Sequence, residues 1–469
     1  MLLVDLLERH GAERSRKAAV LYGERTLDYG ELNAEADRLA AGLRRHAAPG
    51  EPFALWLPNG PELLCLILGC LKAGIVAMPL HHGMKRPEIE RVLTRGRVKH
   101  LVTDHRSYLE LRDEPRHGAS CGAPDDPCLV LLTSGSKGLP KSVLLSVTSL
   151  DHILRYRLDH TLLSTSSVSV VASCLTQSVG LYQSLALLAA GATLVLLDDY
   201  DPDRLVDAVH RHRPTHLIMV VEAFERLLHH PKISAQSLQS LVFASAGADR
   251  VTDRVQRRFV ALTGRPLRVS YGLTESSWAL VNSGERVDRC LALGKPCPGI
   301  EIRLRDADGR DVGAGEVGEI HIESPRTMLG YLDDDAATRD VLVDGWLATG
   351  DLARRDDEGW YWFVGRKKST IVLPSGDNVS PAEVEDALLG HPGVSRCAVV
   401  GVETPEGRTA IWALVVRENG EPPADALLAF LRERLSDYKI PARIVFVPRL
   451  PVGLTGKIQA DEVAKLVDP

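Results

Sequence analysis

Short apolar runs alternate with helix-length segments through the first part of the chain, and this rhythm constrains the fold more than any other feature. FALWLP, ELLCLILGCLKAG, IVAMPL, PEIERVLTRG and HLVTD follow one another between residues 53 and 104 with few residues between them. A strand that returns to its sheet through a helix runs parallel to the strand before it, so the pattern reads as βαβ units with helices covering a parallel sheet. The same reading settles the one stretch that could be mistaken for a membrane span. Thr161 to Leu197 carries no charged residue, but Ser, Thr, Gln177, Gly180 and Gln183 break it into SVSVVAS, GLYQSLALLAAG and ATLVLLD, a buried strand, helix and strand. No membrane span is expected.

At 469 residues the chain exceeds what one core holds, since single cores stop growing near roughly 250–300 residues. Past about residue 300 the pattern changes to shorter alternating strands, VGEIHIES and WYWFVG, with Gly and Asp turns. GRKKS at 365–369 then leads to a tail that reads strand, helix, strand, strand, helix, strand through VSPAEVEDALL, VSRCAVVGV, AIWALVVR, ADALLAFLRERL and RIVFV. Ser380, Pro381 and Glu383 form the signature of a capping box at the start of the first tail helix. The expected fold class is therefore α/β, with a large multi-layer N-terminal domain (1–366) containing a β-rich subdomain, and a small α+β C-terminal domain (367–469).

Several function classes are excluded by composition. A net charge of -6 and the lack of a long Lys/Arg run leave no general surface for nucleic acid. The eight cysteines include no CxxC pair and no zinc spacing, which fits reduced core thiols in a cytoplasmic protein. The N-terminus has no leading positive segment, and Asp5, Glu8 and Arg9 interrupt its apolar residues, so no signal peptide is expected. The histidine pairs, His81-His82 and His229-His230, show no HExxH arrangement and read as surface or core residues.

The sharpest local signal is LVLLTSGSKGLPKSVLLS at 129–146, a Gly- and Ser-rich loop with two lysines between two β-type runs. Such a loop offers backbone N–H groups, hydroxyls and ammoniums to phosphate oxygens. It is not a Walker A loop, because Pro140 stands where that motif needs Gly and the loop leads into a strand. Four further segments stand in order behind it: YGLTES (271–276), LATGDL (347–352), GWYWFVGRKKSTIV (359–372) and PVGLTGKIQ (451–459). Taken alone, Tyr271 offers an aromatic face, Thr274 a hydroxyl, Glu275 a hard oxygen that an ordinary loop carboxylate also has, and Asp351 a carboxylate of the kind common at turns.

With these five motifs the chain resembles the adenylate-forming superfamily, which includes acyl- and aryl-CoA synthetases, adenylation domains of nonribosomal peptide synthetases and beetle luciferases. TLDYGEL (26–32) and LKAGIVAMPL (71–80) extend the likeness over nearly the whole chain. The resemblance implies that ATP and Mg2+ activate a small carboxylic acid to an acyl-adenylate, which then passes to a thiol. That thiol is coenzyme A or the phosphopantetheine of a carrier protein, coenzyme A being preferred. It assigns catalysis to Lys457, Thr274 and Glu275. It assigns nucleotide binding to Thr133, Ser134, Gly135, Ser136, Lys137, Gly138, Lys141, Gly247, Tyr271, Gly272, Asp351, Arg366 and Lys457, and metal binding to Glu275. Lys368 matches a hinge about which a mobile small domain turns.

The chain departs from the usual TSGSTGxPKG pattern at Lys137 and Ser142, which bears on pyrophosphate contact and not on the class of reaction. Where the family often has HxxG, this chain has Gln177-Ser178-Val179-Gly180, and no Asp stands nearby to pair with an ammonium. A neutral acyl or aryl acid is therefore expected over an α-amino acid, with Gln177, Gly180 and Trp278 lining its pocket. Two readings stay open beside this one: a stand-alone enzyme loading a carrier protein, and a catalytically silent relative that binds a ligand.

Overall fold

The computed structural model describes residues 1–112, 122–133, 140–198, 200–374, 378–403, 409–418, 422–451 and 463. Two sheets with parallel centres organise the first part. In the nine-stranded sheet, Arg268–Leu273, Phe243–Gly247, His216–Val220, Val168–Val171, Thr193–Leu196 and Ala18–Tyr22 lie side by side and parallel. In the six-stranded sheet, His100–Val102, Pro52–Leu55, Val76–Pro79 and Pro127–Thr133 are parallel, and Lys141–Ser146 turns back antiparallel.

Side-chain alternation along these strands builds the layers. Leu129 and Leu131 face one core and Val130 another; Leu217 and Met219 face opposite to Ile218. Helices Tyr29–Leu43, Pro61–Ala73, Val147–His160 and Ser178–Ala189 fill the space between the two sheets. Pro202–His212, Val221–His229 and Asp253–Thr263 cover the outer face of the larger sheet, and Arg86–Arg95 that of the smaller. Ser178–Ala189 is buried on every side from Gly180 onward, which is why its sequence shows no polar face. No helix among the described residues is long and apolar enough to cross a membrane.

A five-stranded antiparallel sheet follows, in which Glu301–Arg305, Val317–Glu323, Trp346–Arg355 and Leu342–Val343 lie in order and Tyr361–Arg366 pairs with Trp346–Arg355. Beyond it, Val394–Glu403 pairs antiparallel with Thr409–Arg417, which runs parallel to Arg443–Phe446. Helices Pro381–Leu389 and Ala424–Arg432 close a separate core of Ile371, Val384, Leu388, Val399, Ile411, Leu427 and Leu431. The tail meets the larger part through charged groups. Arg254 Nη2 donates to Glu418 Oε1 at 2.9 Å, Arg396 Nη2 stands 3.0 Å from Glu222 Oε2, and Arg250 bonds Asp386 and, at 2.8 Å, the Ala382 carbonyl.

Two expectations need correction. The capping box at Ser380 does not form: its hydroxyl donates to the Val364 carbonyl at 2.7 Å, and Glu383 pairs with Lys439 at 2.7 Å. Tertiary partners outbid the local ones, although Pro381 does open the helix. Nor are all described cysteines core thiols. Cys65, Cys70, Cys128, Cys297 and Cys397 are buried and reduced, but Cys174 and Cys290 are half-buried, the former with Sγ 3.6 Å from His81 Nε2.

Candidate active site

The parallel strands of the larger sheet end at Val220 and Gly247, which are paired, and at Leu273, three residues past the Gly247 partner Ser270, and the crevice outside such strand ends is where open α/β sheets hold ligands. A Cβ on Gly247 would stand 2.5 Å from the Ser270 carbonyl oxygen, so only glycine lets the neighbouring strand approach there. Gly272 is similarly obligatory. The strand bulges between Tyr271 and Gly272, and a Cβ would meet the Ser277 carbonyl at 2.0 Å. That bulge turns the chain through Thr274–Ser276 into Ser277–Asn282.

Tyr271, Asp351 and Arg366 form one cluster. The Tyr271 hydroxyl donates to Asp351 Oδ2 at 2.9 Å, and Arg366 Nε stands 2.8 Å from Asp351 Oδ1. Asp351 and Arg366 face each other in register on adjacent strands, and the Asp351 N–H donates to Thr349 Oγ1 at 3.1 Å. Asp351 is only 3% exposed, and burial together with its charge holds the Tyr271 phenol protonated, well above its ordinary range. An ionised carboxylate offers about four acceptor sites, which suits it to a pair of sugar hydroxyls.

A second cluster joins the Gly/Ser-rich loop to the YGLTES turn. Thr133 and Lys141 pair across the two strands that flank the loop. The Lys141 ammonium lies 4.2 Å from the centre of the Tyr331 ring, whose hydroxyl donates to Glu275 Oε1 at 3.0 Å. The Met328 N–H donates to the Glu275 carbonyl at 2.7 Å, fixing the turn. Tyr331 went unpredicted. Its signal was the Gly330-Tyr331 pair, which adds a short strand against Val143 and Leu144. Glu275 and Tyr331 place a hard carboxylate oxygen near Lys141, which suits a divalent cation carrying phosphate.

The three pocket candidates divide. Trp278 stands opposite Gly272 in the hairpin register and is buried, with the Arg157 guanidinium 4.1 Å from its ring centre. Gly180 is needed for packing, because a Cβ would lie 2.4 Å from the carbonyl oxygens of Ser173 and Cys174. Gln177 is the N-cap residue of the helix Ser178–Ala189 and makes no side-chain capping bond. Ser142 sits in the strand after the loop, its carbonyl accepting from the Leu332 N–H at 2.8 Å. Lys368 lies exposed in the short turn Lys367–Ser369 that directly follows Arg366. Ser134, Gly135, Ser136, Lys137, Gly138 and Lys457 lie outside the described residues.

The chain is similar to known proteins over its length. The profile described as AMP-binding enzyme matches residues 7–120 and 108–332, and that of the AMP-binding enzyme C-terminal domain matches 383–457. The chain is 32% identical over 470 residues to a feruloyl-CoA synthase of an Amycolatopsis species, covering 95% of each chain. It is 30% identical over 503 residues to the indoleacetate–CoA ligase of Aromatoleum aromaticum, covering 100% of this chain and 98% of the relative. Among solved structures, ATP-bound MatB from Rhodopseudomonas palustris superposes with a TM-score of 0.91 at 25% identity, covering 99% of this chain and 98% of that one.

Proposed function

Since the chain belongs to the AMP-binding, adenylate-forming enzyme family, we propose that it is an acyl- or aryl-CoA ligase whose catalytic centre is the pair of clusters at Asp351 and Glu275. In the first half-reaction a carboxylate oxygen attacks the α-phosphorus of ATP and pyrophosphate leaves. In the second the coenzyme A sulfur attacks the acyl carbon, and AMP leaves with the oxygen. The observation that carries the site assignment is that the short segment from Tyr271 to Glu275 joins the Tyr271–Asp351–Arg366 cluster to the Glu275–Tyr331–Lys141 cluster.

In this reading Asp351 accepts the ribose hydroxyls, with Arg366 and Tyr271 orienting it, and Tyr271 packs against adenine. Thr274 donates to the α-phosphate. Lys141 and the loop 133–138 take the outer phosphates. Glu275, oriented by the Tyr331 hydroxyl, holds magnesium, which when bound neutralises phosphate charge. Lys457 reaches the reacting groups from the small domain during the first step only. We place the boundary near Arg366, where the last strand of the five-stranded sheet ends, with Lys368 as the pivot. A cytoplasmic location agrees with the free described cysteines.

The missing ammonium partner argues for an acid without an α-amino group. ATP–pyrophosphate exchange with a panel of acids, followed by AMP release with and without coenzyme A, tests the assignment. Aryl and medium-chain acids should outperform every α-amino acid. An amino acid as best substrate, or AMP release that depends on a carrier protein instead of coenzyme A, would replace this reading with that of a carrier-loading enzyme.

A further inference from the structure

The helix Val147–His160 buries a cation that nothing in the proposed chemistry uses. Arg157 is 2% exposed, and its guanidinium lies 4.1 Å from the centre of the Trp278 ring and 5.9 Å from that of Tyr182. Its Nη1 stands 3.5 Å from Gln183 Oε1, the outer limit of a hydrogen bond. Its Nε finds no hydrogen-bond partner among the described residues, nor do Gln183 Nε2 and the Tyr182 hydroxyl. A second guanidinium follows. Arg326, also 2% exposed, lies 4.4 Å from the centre of the Tyr156 ring, which packs edge-on against Trp278, and its Nη1 has no partner either.

The titratable groups facing Arg157 are Tyr182, Tyr156, Arg326 and Cys297, and those facing Arg326 are Cys297 and Tyr156. None is a carboxylate. Burial pulls Arg157 down only to about 10, so it is charged at neutral pH. Buried charges in proteins are ordinarily paired, and an unpaired one left without acceptors is costly to keep. Here two cations and a side-chain amide each keep an N–H without a partner among the described residues, and the nearby acceptors are Gln183 Oε1 and, for Arg326, the Cys297 sulfur.

Place in the fold says what could supply the missing acceptors. Trp278 pairs with Gly272 across the hairpin whose turn carries Thr274 and Glu275. Gln183 lies on the same buried helix as Gly180, one turn further from the Gln177 end. Both elements meet at Arg157. Resting on the reading of this cleft as the acyl site, we propose that Arg157 and Gln183, backed by Arg326, bind an anionic group at the far end of the acid, so that the substrate carries a second carboxylate remote from the one activated. This refines the neutral acyl group expected from the charge-free 161–197 stretch, because the cation comes from a different helix.

The test uses the full-length protein and matched acids: aliphatic and aromatic dicarboxylic acids of increasing length, each beside its monomethyl ester. In ATP–pyrophosphate exchange the best diacid should exceed its ester by at least about tenfold in kcat/KM, the value of one charge-assisted contact. Arg157→Met should lower the diacid by a similar factor and invert the preference. Gln183→Glu places a carboxylate beside Arg157 from within, and should abolish the diacid preference while keeping the melting temperature. A wild-type preference for the esters, or a diacid preference that survives in folded Arg157→Met, overturns the proposal; if that variant does not fold, survival in Gln183→Glu does so. Exchange with no acid at all overturns the ligase reading itself, a separate result.

Discussion

The part of the molecule before Arg366 and the part after it are built by opposite means. In the first, one core is shared by two sheets, so that Leu129 and Leu131 of one and Ile218 of the other pack on the same helices. Neither sheet can move without opening that core. The second closes on its own core of Val384, Leu388, Val399, Ile411 and Leu427, and meets the first through the ion pairs Arg254–Glu418, Arg396–Glu222 and Arg250–Asp386 and the hydrogen bonds of Ser380 to Val364 and Arg250 to Ala382. Partly exposed ion pairs of this kind are worth about 0–1 kcal/mol each. A unit with its own core, joined by such pairs, has the build that the proposed change of position calls for.

The strongest way to break that contrast is Lys457→Ala. If the tail brings this cation to the first half-reaction alone, ATP–pyrophosphate exchange should fall about 10²–10³-fold, while consumption of supplied acyl-adenylate and coenzyme A stays near the native rate. Equal loss in both steps would mean that the tail does not alternate. Next in size is a change inside the fixed part. Asp351→Asn removes the charge shared by Tyr271 and Arg366, and ATP binding measured by calorimetry should weaken by about 1.5–3 kcal/mol. An unchanged dissociation constant would take the ribose role away from Asp351.

A third experiment asks whether the tail is stable on its own account. Burial pushes the Glu385 carboxyl up to about 7, while in the unfolded chain it titrates near its ordinary 4.5. The folded state holds its proton longer, so stability from this group is complete below pH 4.5 and is lost as pH rises through 7. Glu385→Gln keeps an acceptor for the Val399 N–H and removes the charge. It should raise stability at pH 8 by about 1–3 kcal/mol and change little at pH 5. In calorimetry the gain should appear in a transition of the tail alone. The smallest effect is expected at the seam: Arg254→Ala should cost under about 1 kcal/mol and vanish at high salt.

The layered part was legible in the sequence because its signals are long and repeated. Alternating strand and helix patterns from 53 to 104, and the charge-free run that became Val168–Val171, Ser178–Ala189 and Thr193–Leu196, needed no tertiary knowledge. Local chemistry that depends on distant partners was not legible. Ser380 reads as a capping residue until Val364 takes its hydroxyl. The loop lysine Lys141 and Glu275 were both singled out, but the tyrosine that connects them, Tyr331, lies in an unremarkable GY pair. The charge at Arg157 was missed for the same reason: in DHILRYRLDH it looks like one more polar position of a surface helix, and only packing against Trp278 reveals it as internal.

The register pair Asp351–Arg366 has one more consequence, which concerns the order of events. Arg366 ends its strand, and the next three residues are the turn that holds Lys368. With the sugar clamp and the pivot assigned as above, the two are two residues apart along the chain, with only Lys367 between them. Arrival or departure of the nucleotide therefore alters the restraint on the pivot directly, without a relay through the rest of the protein. On that assignment no separate clock is needed: the same AMP that marks the end of the second step is the last thing gripping the strand from which the tail must swing back to begin the next round.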